Sequence, residues 1–163
     1  MPHEFNARDG NVRTTAFPGL ALANGTTIPV AGYAFDATTE EALFFRFRAS
    51  DYISGNVQVD LDWYADTASS GAVVWGAQMA AVTPDTDTQD VETDALPTTT
   101  NVTDTHLGTT GQRLHRASIT LTGAALDSLT ADDHVVLRVA RVDRKSTRLN
   151  SSHYALSRMP SSA

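Results

Sequence analysis

Cysteine is absent from these 163 residues, so neither a disulfide nor a thiolate metal site contributes to the fold. Long apolar runs are missing as well: no stretch reaches the roughly 18 to 20 residues that a membrane-crossing helix needs. Positive charge is scarce, with 12 Lys and Arg against 19 Asp and Glu and a net charge of -7, which argues against a duplex nucleic acid partner. The opening Met1-Pro2-His3-Glu4-Phe5-Asn6 has no basic segment followed by an apolar one, so a secretory signal peptide is not expected there. Catalytic signatures are also lacking. There is no HExxH, no serine in a nucleophile elbow and no glycine-rich phosphate loop after a strand, so the reading is of a non-enzyme without a cofactor.

What is present is a two-residue apolar period. In Asn56 to Ala65, Val57, Val59, Leu61 and Trp63 alternate with Gln58, Asp60, Asp62 and Tyr64, the pattern of a strand with one buried face and an acidic wet one. After the turn formers Asp66 to Ser70, a second strand opens at Gly71, with Val73, Trp75, Ala77, Met79 and Ala81 on one face. The simplest expectation is an antiparallel hairpin with Trp63 and Trp75 both directed into the core and Tyr64 pointing outward.

Phe45 and Phe47 alternate with Phe44, Arg46 and Arg48 in a strand expected to be central. Ile119 and Leu121, and then Val135, Leu137 and Val139, supply two more strands, with a helical turn around Leu126 and Leu129 between them. Tyr33 to Asp36 reads as a further strand. The prolines Pro18 and Pro29, which donate no ladder hydrogen bond, place the segments around Asn24-Gly25 at a sheet edge. The expected core is therefore Phe45, Phe47, Val57, Val59, Leu61, Trp63, Val73, Trp75, Ile119, Leu121, Val135, Leu137 and Val139. About seven strands without a long helix predict an all-β chain folded as a single antiparallel β-sandwich, jelly-roll-like. The predicted domain spans 16–142, preceded by a patternless flexible lead over 1–15.

Thr83 to Thr110 is rich in threonine, aspartate and proline and reads as a long connection, with a short strand near Asn101 to Asp104. Its acidic run, Asp85, Asp87, Asp90, Glu92 and Asp94, lacks the glycine of a tight calcium loop and reads as a solvated loop, with no metal site. His106, His115 and His134 share no metal-ligand spacing and read as surface or strand-end histidines. Asp60 and Asp62 lie on one strand face and do not oppose each other across a cleft, as glycosidic carboxylates do.

From Asp143 onward the character changes. Arg144, Lys145, Arg148 and Arg158 face Asp143 alone, and Lys145 is the only lysine in the chain. The wording of Asp143 to Ala163 resembles the in-frame translation of a sequencing-library adapter. The resemblance implies a non-native, disordered tail and a native protein truncated near Val142, so that the sandwich lacks a C-terminal strand and is left with an unpaired edge or a thin patch of core.

The succession Phe45-Arg46-Phe47, Asp51-Tyr52-Ile53-Ser54-Gly55, Trp63-Tyr64-Ala65, Ser70-Gly71-Ala72-Val73-Val74-Trp75, Thr110-Gly111-Gln112-Arg113-Leu114, Ile119-Thr120-Leu121-Thr122 and Leu137-Arg138-Val139-Ala140-Arg141 resembles a jelly-roll β-sandwich family of tailed-phage genomes, over Tyr33 to Val142. That resemblance implies a virion or tail-associated structural module made in the bacterial host cytoplasm. Such a module acts by contact with other virion proteins or with itself as a homo-oligomer. The alternative is a carbohydrate-binding module whose partner is a surface glycan, and a third reading is a jelly-roll polysaccharide-active enzyme. Neither nucleic acid nor membrane is expected as a partner.

Overall fold

The computed structural model describes residues 3–25, 27–142 and 157–159. The strands among them are β1 (His3–Phe5), β2 (Gly19–Asn24), β3 (Pro29–Ala34), β4 (Glu41–Arg48), β5 (Val57–Trp63), β6 (Gly71–Val82), β7 (Thr100–His106), β8 (His115–Leu121), β9 (His134–Arg141) and β10 (Ser157–Met159). They form an all-β antiparallel sandwich. One sheet has the order β1-β10-β5-β8, the other β4-β9-β6-β7, and β2 pairs with β3 in a separate two-stranded ribbon. No helix among the described residues is long and apolar enough to cross a membrane.

The two tryptophan strands do not form the hairpin that their proximity in sequence suggests. β5 pairs with β8 and β10, whereas β6 pairs with β7 and β9 in the opposite sheet. The reason lies in their apolar faces. A hairpin would set both on the same side of one sheet, but a crossing between layers lets Val57, Val59, Leu61 and Trp63 face Val73, Trp75, Ala77 and Met79 across the core. The ring centroids of Trp63 and Trp75 then lie 6.2 Å apart. Trp63 Nε1 reaches the second layer as well, donating to Asp104 Oδ2 of β7 at 2.7 Å. That bond satisfies a buried donor that would otherwise cost about 1 to 3 kcal/mol.

Of the residues assigned to the core, Phe45, Val57, Val59, Leu61, Trp63, Val73, Trp75, Ile119, Leu121, Val135, Leu137 and Val139 are buried, and Phe47 is only half-buried. Tyr64 is buried too, because β5 ends at Trp63 and the chain leaves the alternation that would have turned its ring to solvent. β4 is an edge strand and not a central one. Its aromatic content is matched from outside the sheet: Asn11 and Phe44 exchange backbone hydrogen bonds at 2.7 and 2.9 Å, and Phe5 packs on Phe45 and Phe47 at 5.3 and 5.5 Å.

The lead over 1–15 therefore has structure from His3 on. Asn6 and Asp9 form a reciprocal capping box around the 3-10 turn Ala7–Asp9. A single phenylalanine among polar neighbours leaves no periodic signal, which is why the sequence reads as patternless there. The third strand runs over Pro29–Ala34, earlier than the expected Tyr33 to Asp36, because Asp36 instead accepts from the backbone of Thr38 and Thr39 and makes a turn. Most of the segment 143–163 lies outside the described residues. Within it, the backbone of β10 runs beside β5 at Leu61 and Asp60 and beside β1 along its length.

Candidate functional site

The register of β4, β9 and β6 arrays side chains in rows across the outer face of their sheet. Phe44, Arg138 and Gln78 make one row, Arg46, Val136 and Ala80 the next, and Arg48, His134 and Val82 the third. In the first row Arg138 is buried and fully engaged, donating to Gln78 Oε1 at 2.7 Å and to the carboxylate of Glu40. Phe44 of the first row, all of the second row, and His134 and Val82 of the third form the floor of a groove of about 460 Å³, so that Phe44, Val136, Ala80 and Val82 lie beside Arg46 and His134. Asn11, Val12 and Arg13 make one wall and Val91, Glu92, Asp94 and Leu96 the other.

Both walls follow from local chemistry. The first hangs on β4 by the Asn11–Phe44 bridge, with the Arg13 guanidinium 5.0 Å above the Phe44 ring. The second belongs to the long Thr- and Asp-rich connection, whose carboxylates shape it from within. Asp87 Oδ2 accepts from the Thr83 amide, Asp90 Oδ1 from the Glu92 amide and Asp94 Oδ1 from the Ala95 amide, at 2.7, 2.9 and 2.8 Å. Gln78 Nε2 then pins the connection to the sheet by donating to the Pro97 carbonyl at 2.5 Å. The acidic run is thus turn chemistry, and no group of three or more His, Cys, Asp or Glu that could hold a metal occurs among the described residues.

Two features give the groove recognition chemistry. Asp94 Oδ2 is buried, lines the groove and has no hydrogen-bond partner among the described residues. Arg46 is exposed and Arg13 stands over Phe44, and neither has a carboxylate partner among those residues. The groove therefore has a carboxylate on one wall, guanidinium donors beside the other, and a mixed floor of apolar side chains with His134 between them.

The opposite outer face, on β5 and β8, is chemically complete. Arg116 donates to both carboxylate oxygens of Asp62 at 2.6 and 2.8 Å, and this pairing raises its pKa. Asp60 Oδ1 accepts from Ser118 and Gln58 at 2.6 and 2.8 Å. Asp60 and Asp62 thus hold their own sheet's cross-strand pairs.

The histidines are scattered. His134 lines the groove. His106 and His115 lie at the Trp63 end, their rings 4.7 Å apart, with His115 5.0 Å from Trp63. His106 is not a surface residue. It is buried, its Nδ1 lies 3.2 Å from both the Ser69 carbonyl and the Gly108 amide, and its Nε2 has no partner among the described residues. Burial pushes its pKa below the usual imidazole value. Gly108 makes this corner feasible, since its φ of +71° is left-handed and a Cβ there would lie 3.0 Å from the Ala68 carbonyl.

Sequence reasoning placed Phe44 and Arg46 only in alternation with Phe45 and Phe47, and gave no role to Asn11, Val12 or Arg13. The Asp94 carboxylate carried a faint signal, as an aspartate in a proline-rich loop, but nothing in the spacing shows that one of its oxygens is left over.

No family model matches the chain, and no curated protein matches it. Among solved structures, it is similar to a family 11 carbohydrate-binding module from Clostridium thermocellum in complex with a β-1,3-1,4-mixed-linked tetrasaccharide. The identity is 7% over 98% of this chain and 88% of that one, with a TM-score of 0.47. The same module of a cellulosomal cellulase of Clostridium thermocellum gives 7% identity, coverage of 99% and 88%, and a TM-score of 0.47. A carbohydrate-binding module of the β-sandwich superfamily, studied for promiscuous specificity, gives 6% identity over 97% of this chain and 54% of that one, with a TM-score of 0.39.

Proposed function

We propose that this β-sandwich is a non-catalytic binding module that holds a short oligosaccharide in the groove over β4, β9 and β6. The observation that carries the reading is a groove of about 460 Å³ that sets Phe44, Ala80, Val82 and Val136 beside Arg13, Arg46, His134 and Asp94. A sugar ring presents C–H groups on its faces and hydroxyls on its rim. Val136 and Ala80 suit the former; Asp94, Arg46 and Arg13 suit the latter. Asp94 Oδ2 is buried without a donor, at a cost of about 1 to 3 kcal/mol, and a small shift of its loop on binding lets a sugar hydroxyl relieve that cost. The groove works by contact and not by turnover.

Affinity electrophoresis in gels containing soluble polysaccharides tests this, beginning with mixed-linked β-glucan, the ligand type named for one structurally similar module. Retardation of the wild type that is lost in Asp94→Asn and Arg46→Ala is the expected result. Absence of retardation across neutral and acidic polysaccharides would overturn the reading, and release of shortened products would move the protein into the enzyme class.

A second reading, a phage virion module acting through other virion proteins or through itself, is favoured by a different feature, the exposed apolar ribbon of β2 and β3. The two roles occupy separate surfaces and are compatible.

A further inference from the structure

The β2–β3 ribbon stands outside both sheets. From Thr14 to Phe35 the sequence contains no Asp, Glu, Lys, Arg or His, although 19% of the chain is charged. Five large apolar side chains of this stretch are exposed: Phe17 at 44%, Leu20 at 57%, Leu22 at 65%, Ile28 at 69% and Val30 at 37%. Leu20 and Leu22 lie two apart on β2 and so share one face. β2 pairs with β3 on one side and with no strand on the other, among the described residues. Alternate residues of Gly19–Asn24 therefore direct N–H and C=O groups away from the ribbon. Sheet edges are ordinarily blunted by charge, by proline or by cover. β2 contains neither a proline nor a charge.

We infer that β2 is a self-association edge. Two copies of the chain pair β2 against β2 about a two-fold axis, so that two ribbons become one four-stranded antiparallel sheet with Leu20 and Leu22 of both copies on one face. Charge and symmetry name the partner. Each copy carries a net charge of -7, and a second copy approaches without repulsion only through a surface free of charge, which this stretch provides. A basic partner would be drawn to the acidic surface elsewhere and would gain nothing from a neutral edge. An antiparallel edge is complementary to itself under two-fold rotation, as an isologous interface must be. This inference goes beyond the glycan reading and does not depend on it.

Sedimentation velocity of the full chain across a dilution series is the test. The expected result is a species with the mass of two 17.4 kDa chains that dissociates on dilution. Leu22→Lys, which sets like charges near each other across the two-fold axis, is expected to weaken the dimer about tenfold or more, and Leu20→Lys likewise. Trp63 and Trp75 emission reports whether these variants remain folded. Hydrogen exchange on the wild type gives a test without mutation: β2 amides should gain protection as concentration rises. A monomer at every concentration overturns the inference. So does a dimer that survives both lysine substitutions, or a wild-type monomer that floats with phosphatidylcholine vesicles and thereby assigns the apolar face to lipid. Retention of polysaccharide binding by Leu22→Lys keeps the two proposals separate.

Discussion

The outer faces of the two sheets carry similar kinds of residue and come to opposite ends. On β5 and β8 the carboxylates of Asp60 and Asp62 are engaged by Ser118, Gln58 and Arg116, so those side chains are matched within their own sheet. On β4, β9 and β6 the first row closes through Arg138, Gln78 and Glu40, and Arg48 of the third pairs with Asp132 at the surface. Beyond it, Arg46 and His134 stand beside Val136, Ala80 and Val82, and one oxygen of Asp94 is buried without a partner among the described residues. Cross-strand pairing removes binding capacity as surely as it adds stability. A binding face is one where the loops bring polar groups that the sheet does not itself match.

That contrast can be broken at several points. The largest effect is expected from Arg138→Leu, which removes the closed row: loss of its bonds to Gln78 and Glu40 should cost about 2 to 3 kcal/mol in urea unfolding. Next is Phe44→Ala, which takes away the ring under Arg13 and should weaken polysaccharide binding about tenfold, or about 1.4 kcal/mol, by titration calorimetry. Arg116→Ala on the other sheet should leave that affinity unchanged; an equal loss there would erase the distinction between the faces. Asp62→Asn should lower stability by less than about 1 kcal/mol, because Arg116 is well exposed and solvent screens the pair.

The smallest effect concerns acidity. His106 has a folded-state pKa depressed by burial, so the unfolded chain binds the proton more readily. Its contribution to stability is full above the ordinary imidazole pKa of about 6.5 and is lost as the pH falls from there toward the folded value. Glu41, whose carboxyl is pushed up by burial, acts in the opposite sense: its contribution is present below the ordinary glutamate pKa and is lost as the pH rises through its folded value. The difference between wild type and His106→Gln therefore isolates the histidine. The melting temperature of the variant should fall less between pH 7 and pH 5, as followed by circular dichroism.

The strands were legible because burial on one face writes a period of two into Val57–Trp63 and Gly71–Val82. Their partners were not, since the period tells which way a side chain points and not which strand lies beside it. Hence the expected hairpin between β5 and β6, where the chain instead crosses between layers. Of the groove floor, the alternation of Phe44 and Arg46 with Phe45 and Phe47 was legible, and their facing away from the core was not. What makes that face a groove is long-range, namely Asn11 bridging to Phe44 and Gln78 reaching Pro97, and contacts between residues this far apart in sequence leave no local pattern. His106 stands at a strand end, as expected, but its burial was not legible, because a strand-end position says nothing about the loop that folds over it.

The meeting of Trp63 and Trp75 has an optical consequence. The indoles belong to different sheets, are both fully buried and lie with centroids 6.2 Å apart. Their transitions therefore couple only while the two layers are in register, and their emission shifts to the red when water enters between them. Near-ultraviolet dichroism and emission wavelength together make the protein its own gauge of whether the sandwich is shut, without any added label.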